Sequence, residues 1–166
     1  EAAVKHKKSV YIRLTGSKNN PIIYKKDYDF EIGKAIKLRE GNNVTIFCSG
    51  SMVYNSLKAA EKLDEDNISC TVVNVHTIKP LDNNAIDEAA KNSKMLVSVE
   101  EHNIIGGLGS AISERLTDIK NSPKLLRIGI EDEYSKGGSY DFLKEKHGLS
   151  VDKIVNNISS NLRKEQ

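Results

Sequence analysis

At 166 residues the chain suits one domain, with enough apolar material for a core that needs neither disulfide nor metal. A formal net charge of +2, from 25 basic and 23 acidic side chains spread along the sequence, excludes a strongly basic nucleic-acid binder. No apolar run is long enough to cross a bilayer, so neither nucleic acid nor membrane is expected as a partner.

Cys48 and Cys70 lie far apart, each inside an apolar run. That spacing is no zinc signature and no disulfide framework, and it reads as two reduced core thiols. No secretory or transit pattern precedes the fold, and a cytoplasmic location is expected.

The chain begins Glu1-Ala2-Ala3-Val4, which reads as the end of a helix running into a strand, Ser9 to Leu14. Such a start suggests the close of an upstream domain; a short native helix with its Met removed is the alternative. Thr15 to Pro21 is a Gly, Ser, Asn and Pro cluster with linker chemistry. The segment from Phe30 to Arg39 carries the pattern of an edge strand.

From there strands and helices alternate. Val44 to Cys48 is a compact apolar strand, and Ser49-Gly50-Ser51 breaks it before a helix capped by Ser49 or Ser51. Val53, Leu57 and Ala60 share one face of that helix. Cys70 to Val75 is the next strand, and Asp82 caps a helix with Ala85, Ile86, Ala89 and Ala90 in one stripe. Met95 to Val99 is a third strand. It leads through Glu100-Glu101-His102 and a Gly106 to Ser110 turn into a helix that buries Leu108, Ile112, Leu116 and Ile119.

Leu125 to Ile128 is a fourth strand, and a helix from Tyr140 to Lys146 stops at Gly148, where a left-handed cap fits. Ser150 caps the last helix, whose buried face is Val151, Ile154, Val155, Ile158 and Leu162. The fold class is therefore α/β: three layers, with a mainly parallel sheet and helices on both faces.

In such a sheet ligands meet the loops at the carboxyl ends of the strands. Those loops carry Ser49-Gly50-Ser51, His76-Thr77, Glu100-Glu101-His102 and Asp132-Glu133. Glu100, Glu101 and His102 could form an acid–base or metal cluster. Adjacent carboxylates on an extended segment point to opposite sides, however, and no second His stands at ligand spacing. Packing, loop hydrogen bonds or a subunit contact are the favoured roles. Gly106, Gly107, Gly109 and Ser110 open a helix and could offer amides to an anion. They match neither the dinucleotide nor the P-loop pattern, and close helix–strand contact is the favoured reading. No residue is assigned a catalytic, cofactor-binding or metal-ligating role.

The string Val99 to Ala111, reading VEEHNIIGGLGSA, resembles the C-terminal domain of transketolases, above all those split into separate N- and C-terminal subunits. Further similar strings are Ser9–Leu14, Tyr28–Ala35, Asn74–Asp82 and Lys146–Ser150, collinear over essentially the whole chain. The resemblance implies three regions: 1–16 as the tail of an upstream pyrimidine-binding domain, 17–40 as linker and edge segment, and 41–166 as the C-terminal domain. It implies a parent enzyme that moves a two-carbon ketol unit between sugar phosphates using thiamine diphosphate and magnesium. Both cofactor-binding domains would lie upstream, and this chain would hold no cofactor. The rest of the enzyme, upstream domains or a separate N-terminal subunit, is the implied partner, in a homodimer.

Two departures accompany the resemblance. Many relatives carry a phosphate-binding arginine where Gly16 stands here, with Lys18 nearby, and Gly129 to Tyr134 differs from the commoner Pro-Asp loop. Two other readings are kept: a regulatory anion or nucleotide module using the rim, and a partner-docking module like that of 2-oxo-acid dehydrogenase β subunits. Related deoxyxylulose-phosphate synthases would share the domain.

Overall fold

In the computed structural model, which describes residues 1–15 and 20–164, five strands form one sheet in the order β1-β3-β2-β4-β5. The strands are β1 (Ile36–Arg39), β2 (Val44–Cys48), β3 (Cys70–Asn74), β4 (Met95–Asn103) and β5 (Lys124–Ile130). β2 runs parallel to β3 and β4, with Val44 beside both Cys70 and Met95, and β5 runs parallel to β4. Only β1 is antiparallel, pairing Ile36 with Asn74 at one edge.

The period-2 alternation of the strands sorts the core into two faces. Val44, Ile46 and Cys48 of β2 point one way with Val72, Val97 and Ile128. They meet α2 (Met52–Glu65) and α6 (Val151–Arg163), which bury Val53, Ala60 and Leu63, and Ile154 and Ile158. Phe47, Val73 and Leu96 point the other way, onto α3 (Asn83–Asn92) and α4 (Leu108–Leu116) through Ile86, Ile112 and Leu116. Each fully buried Ile, Leu or Phe contributes roughly 1.5–3 kcal/mol, more than any single cap, so these two faces hold the fold. Arg115 of α4 adds a forked pair to Asp87 of α3 at 2.9 and 2.7 Å, which holds the Asp87 carboxyl below its ordinary range.

The caps form where side-chain chemistry calls for them. Asp82 accepts the amide of Ala85 at 3.2 Å, and its other oxygen takes the amide of Ala35 at 2.8 Å, tying the approach to β1 onto α3. Ser150 Oγ accepts from Lys153. Gly148, at φ +73°, ends α5 (Tyr140–Lys146), and Leu149 N donates back to Lys144 O at 2.7 Å.

Four expectations need correction. The opening helix is a single turn, α1 (Ala2–Lys5), and Ser9 to Leu14 forms no strand. A strand needs a ladder partner, and this segment has none among the described residues; Tyr11 and Leu14 stand exposed. β4 does not stop at Val99 but runs to Asn103, so Glu100, Glu101 and His102 belong to the strand. α2 has Ser51 at its N-cap, yet neither serine makes a side-chain cap there. Finally, the edge strand is confined to residues 36–39. The expectations attached to Gly16 and Lys18 lie outside the described residues.

The connections reverse direction at one place. From β2 the chain passes along α2 to β3 on one side; from β3 it passes along α3 on the opposite face to β4 on the other. The switch point therefore lies between the carboxyl ends of β2 and β4, beside Ser49–Ser51 and Glu100–Asn103.

Candidate functional site at the switch point

Glu100 and Glu101 diverge, as neighbours on a strand must. Glu100 shares the side of Ser98 that faces α4, and it is 2% exposed. Its Oε2 accepts the amide of Leu108 at 2.7 Å and its Oε1 the amide of Gly109 at 2.8 Å. The first amides of a helix have no intrahelical acceptor and carry the positive end of its dipole, so a carboxylate is the natural partner. Here that partner comes from the neighbouring strand.

The glycines make this approach possible. A Cβ on Gly107 would fall onto the Glu100 carboxylate. A Cβ on Gly109 would stand 2.9 Å from the Arg127 stem and crowd Ser98 Oγ. Gly106 adopts φ +77°, and its amide donates to Ser110 Oγ at 2.9 Å, which in turn donates to Ile104 O at 3.1 Å. The two amides that an external anion would need are thus bonded to Glu100, which removes the donors from the anion-module reading.

Glu101 faces the other side. Its Oε2 accepts from Ser51 Oγ, at the start of α2, and from Tyr140 Oη at 2.8 Å, at the start of α5. Burial and the neighbouring carboxylate push the Tyr140 phenol above its ordinary pKa, and Lys144 Nζ sits 4.6 Å from the ring centroid. One carboxylate thereby braces two helices across the switch-point crevice. His102 is exposed and donates from Nδ1 to the Asn103 carbonyl at 2.8 Å, so it does not join the two glutamates. Among the described residues no group of three or more His, Cys, Asp or Glu side chains is placed to hold a metal ion.

At the end of β3 the chain's own aromatics close the rim. Asn74 Nδ2 donates to Tyr24 Oη at 2.7 Å, and Tyr24 stacks on Tyr28 with centroids 3.9 Å apart. Phe30 stacks on His76 at 4.2 Å. His76 Nδ1 lies 2.9 Å from Thr77 Oγ1, while its Nε2 and Asn74 Oδ1 are buried without partners. Burial pushes the His76 pKa down. Tyr24, Phe30 and Tyr140 escaped the sequence reading because each meets its partner 39 to 50 residues away in the chain. An aromatic in a loop carries no periodic signal of such a contact.

Residues 33–154 match the family described as transketolase, C-terminal domain. The chain is 41% identical over 154 residues to an apulose-4-phosphate transketolase subunit of Actinobacillus succinogenes, covering 92% of this chain and 49% of that protein. It is 43% identical over 151 residues to the 6-deoxy-6-sulfo-D-fructose transketolase subunit SqwH of a Clostridium species, covering 90% and 46%. A solved split gene transketolase, described as an inactive β4 tetramer, superposes with a TM-score of 0.81 at 33% identity, covering 86% of this chain and 46% of that one. The chain spans about half the length of these relatives.

Proposed function

Because the chain belongs to the transketolase C-terminal domain family, we propose that it is the assembly half of a transketolase that moves a two-carbon ketol unit between sugar phosphates. The cofactor-binding half is the upstream part of the same enzyme or a separate N-terminal subunit. Thiamine diphosphate and magnesium belong to that half, and the complete enzyme is a cytoplasmic dimer. The relatives named as transketolase subunits, each about twice as long as the matched region, support a division of this kind.

The observation that carries this reading is the state of the switch-point crevice. Its helix amides are bonded to Glu100, and its second carboxylate braces Ser51 against Tyr140. These residues do not fit a diphosphate, which would need the same amides and would meet two carboxylates. No step of ketol transfer is therefore assigned to them. Bound in the other half, thiamine diphosphate supplies the electron sink for the chemistry; this half contributes a rigid surface. The inactive β4 tetramer of the solved relative agrees with a subunit that does not work alone.

Calorimetric titration of the chain with thiamine diphosphate and magnesium tests this assignment. No saturable heat is expected at millimolar cofactor. Stoichiometric binding by the chain alone would overturn it.

A further inference from the structure

Away from the switch point, three side chains between β5 and α6 stand in the order of a nucleophilic relay. Ser135 Oγ lies 2.8 Å from Nε2 of His147, and Nδ1 of the same ring lies 3.5 Å from Oε1 of Glu133. Ser135 and Glu133 sit on the loop between β5 and α5, and His147 is the residue that ends α5. The histidine side chain is only 5% exposed, so its ring orientation is fixed by packing, while Ser135 is open to solvent.

We propose that Ser135 is a nucleophilic serine, with His147 as its base and Glu133 as the positioning carboxylate, at a site that takes short acyl groups from carboxylic esters. The arrangement is the one that activates a hydroxyl: a base at hydrogen-bond distance, oriented through its other nitrogen by an acid. At 3.5 Å Glu133 is a charged neighbour of Nδ1 and not a hydrogen-bond partner; closing that gap would favour the proton on Nδ1 and leave Nε2 free to receive the serine proton. Ser135 Oγ also lies 3.3 Å from the Lys136 carbonyl, so the hydroxyl chooses between two acceptors, and only the rotamer toward His147 is productive. Lys146 stands 3.7 Å from the same Glu133 oxygen.

A cleft of about 320 Å³, within the range that holds a small molecule, adjoins the relay through Glu133 and His147 and is lined also by Leu126, Ile128, Arg127 and Lys146; Ser135 is not part of its lining. Leu126 and Ile128 suit an acyl chain.

The step balances without a metal or redox partner. As Ser135 Oγ adds to the ester carbonyl carbon, its proton passes to His147 Nε2. The bond from that carbon to the alcohol oxygen then breaks, and the departing alkoxide takes the proton from His147. Water attacks the acyl-serine with His147 again as base, releasing the carboxylic acid and restoring the hydroxyl.

The test treats the full chain with a fluorophosphonate and with 4-nitrophenyl acetate, locating any label by peptide mass spectrometry. One label per chain at Ser135 is expected, absent in Ser135→Ala. His147→Gln should slow labelling by about 100-fold, the lower end of what a positioned base contributes. Circular dichroism and a thermal melt establish that each variant is folded. Glu133→Gln should lower the limiting labelling rate without changing the half-saturating reagent concentration, and Glu133→Asp should restore it. No label on Ser135, or an undiminished rate in folded His147→Gln or Glu133→Gln, would overturn the proposal.

Discussion

The carboxylate of Glu100 reaches from β4 to the amide of Leu108 at 2.7 Å and so closes the N-terminus of α4 from outside the helix. With the second bond, to Gly109, two orphan donors and one buried charge satisfy each other. Neither group could be buried alone without a large desolvation cost.

Glu100→Gln keeps the shape but loses the charge and turns one acceptor into a donor facing an N–H. A hydrogen bond to a charged group is worth roughly 1.5–3 kcal/mol, so a loss of about that size is expected. Urea unfolding followed by circular dichroism measures it; a variant as stable as the parent would deny Glu100 its role.

Gly107→Ala should be more damaging than Gly106→Ala, although Gly106 has the unusual backbone. At Gly107 the added methyl meets the Glu100 carboxylate, whereas at Gly106 it meets open space and only the left-handed φ is strained. The Gly106 variant should lose about 1–2 kcal/mol, and the Gly107 variant more, through displacement of the cap. Equal melting temperatures for the two would contradict this ranking.

His76 predicts a direction for the pH dependence. Burial holds its pKa below the ordinary value of 6.5, so the unfolded chain takes up the proton first. The stability it contributes is present above that ordinary value and is lost as the pH falls through the depressed one. Denaturant unfolding between pH 7.5 and 5, values near the ordinary histidine range of about 6.5, should show a slope that His76→Gln reduces. An unchanged slope would assign the acid sensitivity to other groups.

Cys48 and Cys70 are both free, and burial pushes each thiol up to about 12. A disulfide exchange reagent at about pH 8, near the unperturbed thiol value, should release no colour from the native chain and two equivalents once denaturant is added. Release of one equivalent from the folded protein within minutes would mean that a strand opens locally.

Much of this was legible in the sequence. The strand runs at Val44, Cys70 and Met95, the caps at Asp82 and Ser150, and the stop at Gly148 each depend on residues within a few positions of one another, and all appear in the structure. The divergence of Glu100 and Glu101 also followed from strand geometry alone. What failed or stayed hidden depended on distant partners. Ser9 to Leu14 has strand-like residues but no ladder to join among the described residues. Glu100–His102 looked like a loop because polar side chains mask an extended backbone, one that leaves register with β5 after Val99 and pairs again where Asn103 lies beside Ile130. Ser51 looked like a cap, yet its hydroxyl is taken by Glu101, fifty residues on. The brace to Tyr140 exists only once α5 has folded back over the rim.

On the function proposed above, this chain completes a transketolase without supplying its cofactor site. The most direct test is ketol transfer between sugar phosphates, measured while the chain is titrated into the separately purified cofactor-binding half with thiamine diphosphate and magnesium present. Activity should rise to a plateau at equimolar mixing and be absent from either half alone. Ketol transfer by this chain by itself, or a mixture no more active than the cofactor-binding half, would contradict the proposed function.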